Sequence, residues 1–159
     1  MTSAKPEKTI EDKTGSGATD DALRNFVGYN MKTAYLLLRE DLNRTLAPLD
    51  LRIATFSALT VVVENPDISQ TQLSQVLKLE RSGMVVLVDE LENAELISRN
   101  RVPGDRRTYA LRATPKGRKL WNKAREAVEQ HERSLFAGVL DQTEQETLKA
   151  LLYRISTRS

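Results

Sequence analysis

Cysteine is absent from the 159 residues of this chain, and histidine occurs once, as His131. The absence of thiols excludes disulfides, thiolate zinc sites and thiol-based redox sensing, and it leaves one imidazole for metal binding or acid–base chemistry. A glycine-rich phosphate loop and a recognisable pair of catalytic carboxylates are also missing. We therefore predict that the chain is not an enzyme and needs no metal and no cofactor.

Long apolar runs and aromatic residues are scarce as well. No stretch approaches the roughly 20 apolar residues needed to cross a bilayer, and the N-terminus lacks the apolar core of a signal peptide. Aromatic residues make up 5% of the chain and charged residues 29%, which fits a helical protein with much solvated surface. We expect a cytoplasmic protein without a membrane partner, built as one compact domain or as a small domain with long accessory helices.

Charge is nearly balanced over the whole chain but not along it. The net charge is only +2, whereas the segment from Ser98 to Lys119 carries a local charge of +7. Its single acid is Asp105, and its basic residues are Arg99, Arg101, Arg106, Arg107, Arg112, Lys116, Arg118 and Lys119. Duplex DNA presents a dense array of phosphates, so such a cationic segment suits a DNA-binding surface.

Two short helices are predicted immediately before this basic segment. Ser69 and Gln72 form a capping box, which predicts a helix start, and Leu73, Val76 and Leu77 give that helix a narrow apolar stripe. A second helix has the stripe Met84, Leu87, Val88 and Leu91, and its outward face carries Arg81, Ser82, Val85 and Val86. Two short helices joined by a tight turn are typical of the helix-turn-helix that enters the major groove of DNA.

The basic segment itself is predicted to form a β-hairpin, or wing. Ser98–Val102 and Arg107–Leu111 can pair as strands, because Pro103-Gly104-Asp105 between them has strong turn chemistry.

Amphipathic helices flank this unit on the N-terminal side. Residues 1–20 read as a solvated, disordered tail, and residues 21–47 as an uninterrupted helix that Pro48 ends. This long helix has apolar residues on more than one face, so we expect a second subunit to cover it. Asp50 is predicted to cap the next helix.

Two more helices follow the wing. Thr114 and Pro115 predict a helix start, with an apolar stripe from Leu120 to Val139 that includes Trp121 and His131 as packed residues rather than ligands. Thr143 and Glu146 form a second capping box before a last helix with Leu148, Leu151, Leu152 and Ile155 on its apolar face.

The central residues resemble the MarR-type winged-helix transcriptional regulators. The resemblance covers about Ala22 to Leu152 and rests on Leu73-Ser74-x-x-Leu77, Arg81-Ser82-Gly83-Met84, Val88-Asp89-x-Leu91-Glu92, Arg99, Asp105-Arg106-Arg107 and Leu111-x-x-Thr114-x-x-Gly117. The chain departs from that family at Glu95, where a glycine usually ends the helix, and at Val85, where Ser or Thr is frequent.

This resemblance implies a mainly α (α+β) fold. The winged helix-turn-helix domain would be residues 48–114, and residues 21–47 with 115–157 would form a helical dimerisation region in which helices of two subunits interlace. It further implies a homodimeric repressor on a pseudo-palindromic operator in double-stranded DNA, released by a small aromatic acid.

DNA contacts can be assigned to individual residues on this basis. We expect Thr71 and Gln72 to contact phosphates, the wing arginines Arg99 and Arg101 to add to the basic surface, and Arg106 to enter the minor groove. The base edges would be contacted by Arg81, Ser82, Val85 and Val86. For Arg107, DNA contact and an ion pair with Asp105 or Asp89 are equally compatible with the sequence.

A finer resemblance concerns the effector. Gly28-Tyr29-Asn30-Met31-Lys32, Glu80-Arg81-Ser82-Gly83 and Val102–Arg107 are similar to the subgroup that controls hydroxycinnamate (p-coumarate and ferulate) breakdown and responds to aryl-CoA thioesters. An effector crevice would be lined by Tyr29, Lys32, Leu36, Arg39 and Phe56, whose apolar walls suit a ring and whose cations suit a carboxylate or phosphate. The alternative function is a winged-helix protein-interaction module that does not read DNA.

Overall fold

The computed structural model describes residues 17–158, so most of the predicted N-terminal tail lies outside the described residues. The chain divides into two compact units between Leu36 and Leu37, inside the second helix. Each unit is described by itself.

The first unit shows that the predicted N-terminal helix is interrupted. Helix α1 is Asp21–Arg24, and α2, Val27–Leu46, begins only after a break. The Asn30 side chain explains the break, because its Nδ2 donates to the carbonyl oxygens of Arg24 at 2.8 Å and Phe26 at 2.9 Å. These side-chain bonds compete with a continuous helical ladder, so the prediction of an uninterrupted helix was wrong.

Asp20, the last residue of the predicted tail, makes side-chain contacts with the residues that follow it. Asp20 accepts a hydrogen bond from the Tyr29 hydroxyl at 2.7 Å and forms an ion pair with Arg24 at 2.9 Å. The hydrogen bond from Tyr29 is the main reason why the pKa of the Asp20 carboxyl lies below its ordinary value. These contacts connect Asp20 to α1 and α2 within the first unit.

In the second unit, the chain turns sharply between two helices. Helix α2 ends at Leu46, a 3-10 turn over Ala47–Leu49 contains Pro48, and α3 spans Ile53–Glu64. Proline thus ends α2 as predicted. The predicted cap at Asp50 was wrong, because Asp50 has a left-handed backbone with φ of 54° and lies before the helix start. Instead, the Ile53 amide donates to Asn43 Oδ1 at 3.0 Å.

The winged domain consists of a strand, two helices and a hairpin. These elements are β1 (Ile68–Ser69), α4 (Gln70–Leu77), α5 (Arg81–Asn93), β2 (Ile97–Val102) and β3 (Asp105–Ala113). The sheet is antiparallel with the order β1-β3-β2, and Ile68 pairs with Leu111. The capping box at the start of α4 is confirmed, since Ser69 Oγ accepts from the Gln72 amide at 3.1 Å.

The core of the winged domain follows the predicted helix patterns with one exception. All four residues of the α5 stripe are buried, and they pack with Leu46, Leu59, Val62, Leu73, Ile97 and Leu111. Val76 of the α4 stripe is instead 57% exposed, whereas Leu77, the next residue, packs against this core. The orientation of α5 is thus fixed by burial of one face.

Helix α6, Pro115–Phe136, is joined to the winged domain by specific contacts. Thr114 Oγ1 accepts from the Gly117 amide at 2.9 Å, which confirms the predicted cap. Trp121 packs against the core and donates from Nε1 to Thr60 Oγ1 at 3.1 Å. His131 Nε2 is buried and has no hydrogen-bond partner among residues 17–158. Val139, at the end of the predicted stripe, is beyond the helix and 70% exposed.

The last helix, α7, spans Gln142–Ser156 and begins earlier than predicted. Asp141 Oδ1 accepts from the Glu144 amide at 2.9 Å, and Glu144 Oε2 accepts from the Asp141 amide at 2.9 Å. The capping box therefore uses Asp141 and Glu144 rather than Thr143 and Glu146. At its other end, the Ser156 carbonyl accepts a hydrogen bond from Lys78 Nζ at 3.0 Å.

Within residues 17–158, no single helix has both the length and the apolar composition for a membrane span. One pair meets the test only jointly, Val27–Leu49 with Ile53–Glu64, and it is sharply bent at the break between them.

Candidate nucleic-acid interface

The N-terminal part of α5 presents short side chains and one arginine to solvent. Burial of Met84, Leu87 and Val88 on one face leaves Arg81 and Ser82 exposed on the other. Val85 and Val86 are 39% and 63% exposed. This is the outward face that the sequence predicted for base contact, and a surface of small side chains allows the helix backbone to approach base edges closely.

A cleft of about 160 Å³ joins this helix end to α4 and to the wing. It is lined by Ser69, Gln70, Thr71, Ser74, Arg81, Arg107, Thr108 and Tyr109. The structure therefore brings together three predicted DNA contacts that are distant in sequence, namely Thr71, Arg81 and Arg107. Sequence reasoning missed the contribution of Thr108 and Tyr109; alternation along β3 was the available signal, because it places Tyr109 on the side of Arg107.

The wing is a hairpin with a shorter turn than predicted. Val102 pairs with Asp105, so the turn contains only Pro103 and Gly104, and Gly104 has a φ of 84°. The register shifts between Arg101, which pairs with Tyr109, and Val102. Asp105 is therefore the first residue of β3 rather than the last residue of the turn.

Asp105 orders the tip of the wing from within. Its Oδ1 accepts from the Arg107 amide at 2.8 Å. Hydrogen bonds from Thr108 and then from the Arg107 amide hold the pKa of the Asp105 carboxyl below its ordinary value. The Arg107 guanidinium forms no ion pair with Asp105 or with any other described residue. The structure therefore favours an accessible Arg107.

The other wing-tip arginines are exposed too. Arg101 lies over the Tyr109 ring, with 5.8 Å between the guanidinium carbon and the ring centroid. Arg106 forms no ion pair among the residues that the structure describes. Both remain candidate phosphate or groove contacts.

Arg99 differs from its neighbours. Its side chain is only 20% exposed and forms ion pairs with Asp89 and Glu92, both on α5. Burial opposes its charge, but hydrogen bonds to these two carboxylates raise the pKa of Arg99 above the ordinary arginine value. Contrary to the prediction that Arg99 adds to the basic surface, its guanidinium is thus paired with acids of α5 rather than available to a phosphate. The two acids on α5 were visible in the sequence, but their pairing with a strand residue depends on the tertiary fold.

Two further basic residues of this segment are paired with acids outside it. Arg112 makes a two-point contact with Asp67, at 2.5 and 2.7 Å, and Lys116 lies 3.4 Å from Glu95. The local charge of +7 therefore overstates the field that a phosphate would meet. Among the described residues, the cations of this segment without an ion pair are Arg101, Arg106, Arg107, Arg118 and Lys119.

The predicted effector residues are distributed over both units. Tyr29, Lys32 and Leu36 belong to the first unit, where Lys32 Nζ lies 5.0 Å and the Arg24 guanidinium 5.5 Å from the Tyr29 ring centroid. The hydrogen bond to Asp20 raises the pKa of the Tyr29 hydroxyl. Arg39 and Phe56 belong to the second unit, where Phe56 packs against the core. The five residues remain a predicted set.

Within residues 17–158, there is no group of three or more His, Asp or Glu side chains that could hold an ion.

Comparison with known proteins connects this architecture to a family. A family model described as MarR family matches residues 49–108. The chain is 35% identical over 100 residues to a transcriptional regulatory protein for the hcr operon of Thauera aromatica, which corresponds to 63% of this chain and 60% of that protein. The alignment thus spans less than two thirds of that relative.

Solved structures are similar over a larger part of the chain. The transcriptional repressor CouR bound to a 23-mer DNA duplex has 31% sequence identity and a TM-score of 0.84, covering 89% of this chain and 99% of CouR. CouR bound to p-coumaroyl-CoA has 30% identity and a TM-score of 0.79, with 89% and 99% covered. The winged fold, the match to residues 49–108 and this similarity over nearly the whole length of CouR show that the chain belongs to the MarR family of winged-helix transcriptional regulators.

Proposed function

We propose that this chain is a homodimeric transcriptional repressor that binds a pseudo-palindromic operator and is released by an aromatic effector. The observation that carries the proposal is the cleft in which Arg81 of α5 and Arg107 of β3 meet the start of α4. A helix end that presents small side chains and an arginine, beside an accessible cationic hairpin, has the geometry for simultaneous contact with bases and phosphates.

Within this proposal, each DNA contact has a defined role. Arg81, Ser82, Val85 and Val86 contact base edges in the major groove, and the valine methyl groups suit the methyl group of thymine. Thr71 and Gln72, at the exposed start of α4, bind phosphates. Arg106 enters the minor groove, while Arg101 and Arg107 bind the backbone beside it.

Uncovered apolar side chains support a dimer. In α7, Leu148, Leu151, Leu152, Tyr153 and Ile155 are between 39% and 69% exposed. In the first unit, Leu23, Phe26 and Val27 are between 49% and 71% exposed. Contiguous apolar faces of this kind are typical of protein–protein contacts. A two-fold dimer would place two reading helices about 34 Å apart, one turn of DNA.

The effector in this proposal is an aromatic acid, carried as its CoA thioester. The support is the similarity to CouR, which has been solved with p-coumaroyl-CoA, together with the Arg24, Tyr29 and Lys32 cluster of an aromatic ring beside two cations. A CoA thioester is a polyanion, so it would compete with phosphates as well as change the half-site spacing. A coupling of about 1–3 kcal/mol between the two sites suffices for release.

Fluorescence anisotropy tests the DNA-binding part, with operator candidates from upstream genomic DNA and random duplexes as ligands. The salt concentration is raised from about 50 to about 200 mM, a range over which the affinity of a protein with many phosphate contacts falls by about 10³–10⁵. Steeply salt-dependent binding with sequence preference supports the proposal. Absence of any salt-dependent binding would instead identify a protein-interaction module. Sedimentation equilibrium provides the oligomeric state.

The effector part is tested by titrating the preformed protein–DNA complex with p-coumaroyl-CoA, free p-coumarate and unacylated CoA. Release by the thioester alone supports the proposed effector class. Release by unacylated CoA would show that a polyanion merely competes with DNA for the basic surface. Release by none of the three compounds would refute the proposed effector class. Lys32→Ala, which removes one of the two cations beside Tyr29, should raise the thioester concentration needed for release.

A further inference from the structure

Arg99 lies at the junction between the reading helix and the wing. It is on β2, where it pairs with Leu111 of β3, and its guanidinium is held by Asp89 and Glu92 of α5. The two acids are three residues apart, so both side chains lie on the same side of the helix. The contact therefore links the C-terminal half of α5 to the strand that leads to the wing tip.

Its neighbour two residues along the strand provides an internal comparison. Arg99 and Arg101 lie on the same face of β2, because side chains alternate along a strand. Arg101 is exposed over Tyr109, whereas Arg99 has only 20% of its side chain exposed and two carboxylate partners. Two arginines with the same strand orientation thus have different surroundings.

We infer that Arg99 is a positioning residue for DNA recognition, which fixes the wing relative to the reading helix without touching DNA. This inference rests on the proposed function. A planar guanidinium that contacts two carboxylates defines both the distance and the angle between β2 and α5, whereas a single point charge would not define the angle. Correct spacing between Arg81 on α5 and the wing tip is required only when both engage one operator.

For the two acids, a positioning role and simple charge repulsion predict opposite changes in operator affinity. The Arg99, Asp89 and Glu92 group has a net charge of −1 near a surface proposed to bind phosphates. If these acids only repelled DNA or sequestered Arg99, Asp89→Asn and Glu92→Gln would strengthen binding to any duplex. If they position the wing, both substitutions weaken binding to the operator although they remove negative charge.

The experiment uses the full chain and a duplex that the wild-type protein selects from a randomised pool, with an unselected duplex of equal length as comparison. For Arg99→Gln, we expect operator affinity to fall roughly tenfold, within the range of coupling between two parts of one protein. Affinity for the unselected duplex and the slope of log affinity against log salt should remain near wild type. Arg99→Lys should recover part of the operator affinity.

Arg101→Gln is the matched control, because it removes an exposed arginine from the same strand face. This substitution should lower the affinity for both duplexes and reduce the slope of log affinity against log salt by about 1, as expected for a lost phosphate contact. The side chains of Asp89 and Glu92 are 50% and 38% exposed, so we expect their neutral variants to fold. These variants therefore test the inference even if Arg99→Gln does not fold.

Three outcomes would overturn the inference while leaving the proposed function intact. The first is a lowered salt slope for Arg99→Gln, which would indicate a phosphate contact. The second is stronger operator binding by Asp89→Asn and Glu92→Gln. The third is unchanged operator binding by these two variants and by Arg99→Gln. Failure of the wild-type protein to enrich any sequence would overturn the proposed function itself, and the inference with it.

Discussion

Gly117 and Leu96 are in such close contact that a side chain is excluded between them. A Cβ atom added to Gly117 would lie 2.0 Å from the carbonyl oxygen of Leu96 and 2.8 Å from its carbonyl carbon. The same carbonyl accepts hydrogen bonds from the Thr114 amide at 3.0 Å and the Thr114 hydroxyl at 3.2 Å. Because the obstacle is backbone, α6 can rest on the α5–β2 connection only when this position is glycine.

Gly117→Ala is therefore expected to destabilise the fold by about 3 kcal/mol, in the upper part of the range for overpacking. Urea unfolding at fixed protein concentration measures the change, since the stability of the proposed dimer would depend on concentration. Gly83→Ala is the matched control, because nothing lies within 4 Å of its added Cβ. It should be mildly stabilising, by at most about 0.5–1 kcal/mol, the gain of alanine over glycine in a helix interior, because Gly83 lies in the first turn of α5. Equal effects at the two positions would contradict the observed contact.

Glu95, two residues after the end of α5, has a backbone conformation that suits glycine. Its φ is 60°, and a left-handed conformation costs about 1–2 kcal/mol for a residue with a Cβ atom. Glu95→Gly should thus stabilise the protein by about 0.5–1 kcal/mol after subtraction of the greater entropy of the unfolded glycine chain. Glu95→Ala removes the same carboxylate from Lys116 but keeps the Cβ atom, so it should give no gain. Thermal unfolding of the two variants separates the backbone effect from the charge effect.

The start of α7 allows a test between two overlapping capping patterns. Asp141 accepts from the Glu144 amide, whereas the Thr143 hydroxyl was the cap predicted from sequence. Asp141→Ala should be destabilising by about 1 kcal/mol, and Thr143→Ala should have little effect. Chemical denaturation of both variants provides the measurement. A larger loss for Thr143→Ala would show that the helix begins two residues later than in the structure.

Local sequence patterns predicted the helices of the winged domain because burial and capping there are determined by residues close in sequence. The α5 stripe and the caps at Ser69 and Thr114 are examples. The pairing of Arg99 could not be predicted in this way, because its partners are 7 and 10 residues distant and come together only when β2 packs beside α5. Likewise, Asn43 caps α3 from another helix.

The candidate site shows the same division. The outward face of α5 follows directly from its buried stripe, so the exposure of Val85 and Val86 was predictable from a 3.6-residue period. The cleft was not predictable, because it forms only where α4, α5 and β3 come together in the folded chain. The register between β2 and β3, which shifts after Arg101, was not predictable either, so Asp105 was assigned to the turn although it pairs with Val102.

The Asp67–Arg112 pair gives a prediction for acid stability. Hydrogen bonds from Arg112 hold the pKa of Asp67 below its ordinary value of 3.8. The unfolded chain binds this proton at a higher pH than the folded chain, so the pair stabilises the fold above the ordinary pKa. That contribution is lost as the pH falls through the lower folded-state pKa. Both side chains are about half exposed, so the effect should also shrink in high salt.

Asp67→Asn isolates this charge effect, because asparagine tolerates the positive φ of 70° at this position. Unfolding followed at pH 7 and at pH 3 should show a smaller pH dependence for Asp67→Asn than for the wild-type protein. The variant should lose stability at pH 7 and match the wild type more closely at pH 3. A difference that is the same at both pH values would mean that the carboxylate charge is not the source of the stabilisation.

Arg107 provides the most direct test of the cleft as a phosphate-binding surface. Arg107 lines the cleft with Arg81 and Thr71, while its backbone amide donates a hydrogen bond to Asp105. Arg107→Ala should weaken binding to all duplexes and lower the slope of log affinity against log salt by about 1. Arg118→Ala is the matched control, since Arg118 also lacks an ion pair among the described residues but lies on α6 and does not line the cleft. Its salt slope should equal that of the wild-type protein. If both variants lower the slope equally, DNA is attracted by the general charge of the segment, and the cleft has no special role.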